Sequence, residues 1–121
     1  MEKIKSICVM RELLKAMNAL ESQLQSRFGV SINEAMALCC IGGDTLTASK
    51  ISENIGLTPS NTSKVIRSIE SKELVTRSPG DTDHRQMCFT LTEKGMEKLR
   101  TIKNNEIEIP EFIKPLFDCE H

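Results

Sequence analysis

The chain has 121 residues, 39% hydrophobic and 27% charged, with a net charge of −1. That length fits one domain with a modest core, and no stretch approaches the roughly 20 apolar residues that span a bilayer. The near-zero net charge excludes a chain that is basic throughout, so any affinity for nucleic acid must come from cations gathered on one surface.

Aromatic residues are 3% of the chain and Trp and Tyr are absent, so Ile, Leu, Met, Val and Cys must build the core. The opening run Met1-Glu2-Lys3-Ile4-Lys5 lacks a signal-peptide core, which predicts a cytoplasmic protein. Five cysteines (Cys8, Cys39, Cys40, Cys88, Cys119) stand at irregular spacings without a CxxC pair. An odd count argues against a disulfide framework or zinc ribbon and predicts buried free thiols.

Residues 2–27 contain neither Pro nor Gly and read as one long helix. Ile7, Met10, Leu14, Met17 and Leu24 follow a three-four spacing, with Leu13 and Leu20 as a second stripe. So broad an apolar face predicts contact with a second subunit. Gly29 breaks the helix. Ser31 with Glu34 forms a capping box for the next one, whose inner side is expected to be Met36, Ala37, Cys40 and Ile41. Gly42-Gly43 stops it. Thr47 caps a helix over 48–55 that turns Ala48, Ile51 and Ile55 inward, and Gly56 allows a sharp turn. Thr58-Pro59 opens a further helix running to about Lys72, with Thr as cap and Pro at the first helical position. Leu74–Ser78 and Met87–Leu91 read as two strands around a polar loop. Thr92 caps a last helix to about Glu108, with Met96, Leu99 and Ile102 on one side, before Pro110 and Pro115 restrict the tail.

Two short helices joined by a Gly turn and followed by a hairpin form a winged helix-turn-helix pattern. The predicted fold is mainly α, with a two-stranded β-wing between N- and C-terminal dimerisation helices. It is organised as one domain over 1–121. Residues 1–30 form the N-terminal helix, 31–91 the lobe with its wing at 74–91, and 92–121 the closing helix and tail.

The second short helix carries the chemistry. Thr62, Val65, Ile66 and Ile69 fall on one side at 100° per residue. Ser60, Lys64, Arg67 and Ser71 fall opposite, flanked by Asn61, Ser63 and Ser68. Small hydroxyls and an amide let a helix approach base edges, while Lys64 and the helix N-terminus favour phosphate. Arg67 can read guanine with two hydrogen bonds or hold phosphate. In the wing, Arg85 is the candidate for the adjacent minor groove, with Asp83 to brace it.

Asp83-His84-Arg85, followed by Phe89-Thr90-Leu91-Thr92-Glu93-Lys94-Gly95, resembles the wing of the MarR family, the multiple-antibiotic-resistance-type regulators. The run from Leu46 to Leu57, then Ser60 to Val75, resembles that family's DNA-binding region, so the likeness covers about Ser31 to Leu99. The resemblance implies a bacterial homodimer that binds a pseudo-palindromic operator in duplex DNA, acts as a repressor and answers to a small-molecule effector. It implies dimerisation through the terminal helices; the lack of a long apolar stretch predicts no membrane association. His84 departs from the family's basic triplet, and the closing helices are short.

Three features carry less. Asp81, Asp83 and His84 can be drawn as metal ligands but read better as a solvated loop, so neither metal nor other cofactor is expected. Cys8, within a turn of Lys5 and Arg11, is a candidate redox sensor, although no Tyr is present to hold an oxidised sulfur. Cys39-Cys40 reads as core packing. No nucleophile–base pair or phosphate loop points to an enzyme. A winged helix that binds protein instead of DNA is the alternative.

Overall fold

The structure is a computed structural model and describes residues 4–80 and 85–105. The described residues divide into two compact units, 4–29 and 30–105.

In the first unit, α1 runs over Lys5–Phe28. It ends where Gly29 takes φ +70 and its N–H closes onto the carbonyls of Gln25 and Leu24, a left-handed cap that Gly adopts without steric cost. Leu24 and Phe28 are buried, and the Arg27 guanidinium lies 5.2 Å from the Phe28 ring centroid. The stripe farther up is open to solvent: Ile7 and Leu14 are each 60% exposed.

The second unit contains α2 (Ile32–Ile41), β1 (Leu46–Thr47), α3 (Ala48–Ile55), α4 (Pro59–Ser71), β2 (Val75–Pro79), β3 (Met87–Leu91) and α5 (Glu93–Asn104). Each helix begins on a side-chain oxygen that accepts a backbone N–H three residues on. Ser31 serves Glu34, Thr47 serves Lys50, Thr58 serves Asn61 and Thr92 serves Gly95. At α2 the box closes in both directions, with Glu34 N–H donating to Ser31 Oγ at 3.0 Å and Ser31 N–H to Glu34 Oε1 at 2.8 Å.

The expected hairpin is present, with Val75 opposite Leu91 and Ser78 opposite Cys88. A two-residue strand joins it: β1 pairs antiparallel with the other edge of β3, giving the order β1-β3-β2. Val30, Ala37, Leu38, Ile41, Ile51, Ile66, Ile69, Leu74, Val75, Phe89 and Leu91 form the lobe's core.

The inner side of α2 differs from expectation. Glu34, Ala37, Leu38 and Ile41 face in, while Met36 is exposed and Cys40 half-buried. The thiols also differ. Cys39 is exposed, Cys8, Cys40 and Cys88 are half-buried, and Cys40 Sγ accepts the Asn54 amide at 3.2 Å. The expectations for Pro110, Pro115 and Cys119 lie outside the described residues.

Thr62, on the inner face of α4, has a buried Oγ1 without a hydrogen-bond partner among the described residues. A buried, unmade hydrogen bond costs about 1–3 kcal/mol, and valine has nearly the same shape as threonine. Thr62→Val is therefore expected to stabilise the lobe by about 1 kcal/mol, read as a higher urea midpoint at unchanged slope.

Candidate nucleic-acid interface

α4 is built to show one face and bury the other. Thr62, Ile66 and Ile69 are buried and Val65 is half-buried, in the order expected from helical spacing. Ser60, Asn61, Ser63, Lys64, Arg67 and Ser71 are exposed. Neither the Lys64 nor the Arg67 side chain forms an ion pair among the described residues. Their charges therefore remain available to an anion, and Pro59 with Thr58 fixes the helix N-terminus beside them.

Two of the hydroxyls are otherwise engaged. Ser68 is half-buried, and its Oγ donates to Glu34 Oε2 at 2.7 Å. Ser71 Oγ donates to the Ser68 carbonyl at 2.7 Å. Arg85 is exposed in the turn two residues before β3, whereas Asp81, Asp83 and His84 lie outside the described residues. Cys8 is half-buried on α1 beside a surface hollow that Lys5, Val9, Arg11 and Glu12 also line.

The base of the wing is fastened to α4. Arg77 on β2 gives a two-point hydrogen bond to the Glu70 carboxylate and lies 5.6 Å from the Phe89 ring centroid. Those hydrogen bonds hold the Glu70 carboxyl below the usual glutamate range against partial burial, and the charges of Arg77 and Arg67 add to the effect.

A second ionic cluster holds the other side of α4. Lys72 Nζ donates to both Glu34 oxygens at 2.8 Å. Burial pushes the Glu34 carboxyl up, but hydrogen bonds from Lys72, Ser31 and Ser68 outweigh it and hold the group below its ordinary value. Sequence reasoning saw Glu34 only as a helix cap. Its partners lie 34 and 38 residues away, and nothing local announces them.

A helix with an exposed polar and cationic face, set between a Gly turn and a sheet-borne wing, has its counterpart among known proteins. A model described as the MarR family matches residues 30–87. Over that segment the chain resembles the MarR family. Its members are DNA-binding transcriptional regulators and not enzymes. The structure is similar to AbsC, a MarR family transcriptional regulator from Streptomyces coelicolor. Identity is 26%, with 85% of this chain and 74% of AbsC covered and a TM-score of 0.71. It shares its fold with MepR from S. aureus, solved as a complex with DNA, at 21% identity, 78% and 79% coverage and TM-score 0.64. It also shares it with BpsR from Bordetella bronchiseptica, whose DNA binding is regulated by 6-hydroxynicotinic acid. There identity is 14%, coverage 84% and 72% and the TM-score 0.73. No curated protein sequence matches the chain. Among the described residues, no helix is long and apolar enough to cross a membrane.

Proposed function

We propose that this chain is a MarR-family regulator, a cytoplasmic, bacterial homodimer that represses transcription from a pseudo-palindromic operator. The observation that carries the reading is the outer face of α4. Lys64 and Arg67 stand exposed among small polar side chains, without an ion pair among the described residues, while the opposite face is locked into the core. α4 enters the major groove. Ser60, Asn61 and Ser63 approach base edges, and Lys64 and Arg67 take phosphate or guanine. Arg85 reaches the neighbouring minor groove, where a narrow groove concentrates negative potential, with Asp83 as its brace. Ser68 and Ser71 flank the contact surface.

The exposed apolar stripe of α1 supports the dimer. Ile7, Met10 and Leu14 recur at the spacing of a helix that packs against another. Two recognition helices about 34–36 Å apart then meet successive major grooves. A small-molecule effector that binds one dimer geometry better than the other shifts the population and releases the operator. BpsR, with its regulation by 6-hydroxynicotinic acid, supports an effector of this kind.

The test is binding of the purified protein to duplex DNA from its own promoter region at two salt concentrations, with sedimentation to read the oligomer. Arg67→Ala is expected to cost about 1–3 kcal/mol of affinity and to relax preference at one base position. Arg85→Ala is expected to weaken binding most on A·T-rich flanks. If a folded dimer binds no duplex and both variants behave as wild type, the winged helix serves a protein partner instead.

A further inference from the structure

Glu34 is only 4% exposed, and it is a glutamate where a helix cap requires nothing charged. Accepting the Ser31 N–H is a task that glutamine performs equally well in a capping box. Burying a carboxylate instead is unfavourable unless the charge is paired and its lone pairs are filled. Here they are filled from α4. Ser68 Oγ donates at 2.7 Å, and Lys72, the residue that caps the end of α4, donates to both oxygens at 2.8 Å. Ser68 and Lys72 stand four residues apart, one above the other on the same helical face. A helix held at two such points by a group on another element is fixed in roll and in position along its axis.

Roll decides where Arg67 points, because Arg67 immediately precedes Ser68. At the ~5–6 Å radius of a helix surface, a 10° roll moves a contacting group by about 1 Å, enough to spoil a two-point hydrogen bond to a base. We propose that Glu34, acting through Ser68 and Lys72, is a positioning residue that sets the roll with which α4 presents Lys64 and Arg67 to DNA. The inference rests on α4 being the recognition helix. Lys72 then acts inside the protein, as the anchor of that helix, and is not a phosphate ligand.

The test uses a duplex selected by the wild-type protein from a random-sequence pool, and a scrambled duplex of equal length and composition. Affinity for both is measured across a salt series for the full chain and for Glu34→Gln, Ser68→Ala, Lys72→Met, Glu34→Gln with Lys72→Met, and Arg67→Ala. Glutamine keeps the cap, and Ser68→Ala keeps the ion pair, so folded variants remain even where Lys72→Met is destabilised. Glu34→Gln and Lys72→Met are each expected to weaken binding to the selected duplex about five- to tenfold, with the double variant no weaker than the singles. Binding to the scrambled duplex and the salt dependence are expected to stay as in wild type.

The proposal is overturned if Lys72→Met weakens both duplexes alike and lowers the salt slope by about 0.9, which marks a phosphate contact. It is overturned equally if Glu34→Gln binds the selected duplex as wild type does while Arg67→Ala does not. Should Arg67→Ala also bind normally, the assignment of α4 as the recognition helix fails and takes the inference with it.

Discussion

An alanine at Gly95 is expected to destabilise the lobe by about 3 kcal/mol, the upper range for forcing an extra carbon into a packed site. Helix propensity alone predicts the opposite, a gain of up to about 1 kcal/mol for Gly→Ala inside a helix. Geometry decides the sign. A Cβ at Gly95 would lie 2.1 Å from the Leu74 carbonyl oxygen and 3.0 Å from its carbonyl carbon. Both are backbone atoms, and neither can swing aside. The same carbonyl accepts the Thr92 N–H at 3.0 Å, Thr92 Oγ1 donates to the Glu73 carbonyl at 2.7 Å, and Leu74 is itself buried. Relief of the clash therefore means lifting the start of α5 away from the segment that links α4 to β2. Such a loss is a large part of the total stability of a domain this size. Urea unfolding of Gly95→Ala reads it directly, and an unchanged or higher midpoint would show that α5 does not approach Leu74 this closely. The run Leu91-Thr92-Glu93-Lys94-Gly95 is thus accounted for by packing. Thr caps the helix, and Gly lets it dock.

Local signals make much of this architecture legible in the sequence. The four caps were readable because each is a side-chain oxygen followed three residues later by the N–H it serves. The two faces of α4 were readable because only one of them is apolar. What escaped was non-local or too short to show a pattern. β1 has two residues, and one of them, Thr47, is also the cap of α3, so no alternation exists to detect. The inner face of α2 departs from its apolar pattern because Glu34 does not register as a core residue. Its burial depends on Lys72 and Ser68, and a hydrophobic pattern carries no trace of them. Helical angle alone sets Ser68 beside the outer face, yet its hydroxyl turns toward Glu34. The end of α4 carried no glycine signal either. Glu73 takes φ +62, the left-handed conformation that usually selects Gly, and the Leu74 N–H closes onto the Ile69 carbonyl.

Ile69→Ala is the second large effect expected, a loss of about 2–5 kcal/mol, against about 0.5–1.5 for Ile69→Val. Ile69 is fully buried on the inner face of α4, with Ile66 on the same face and Leu74 close behind in the chain. Removing three carbons leaves a cavity under the helix, and the cost grows with whatever part of it the surroundings fail to fill. The clamp on the outside cannot compensate. Glu70, the next residue, is gripped by Arg77, but that ion pair sits on the solvent side where water and salt weaken it. The core therefore carries the stability of α4, and the ionic contacts set its orientation. Denaturation in low and high salt separates the two contributions. The Ile69→Ala loss should be nearly independent of ionic strength, whereas an effect carried by the exposed Glu70–Arg77 pair should shrink as salt rises. If Ile69→Ala cost less than about 1 kcal/mol, the cavity would have collapsed at little expense, and α4 would be held chiefly by its polar contacts.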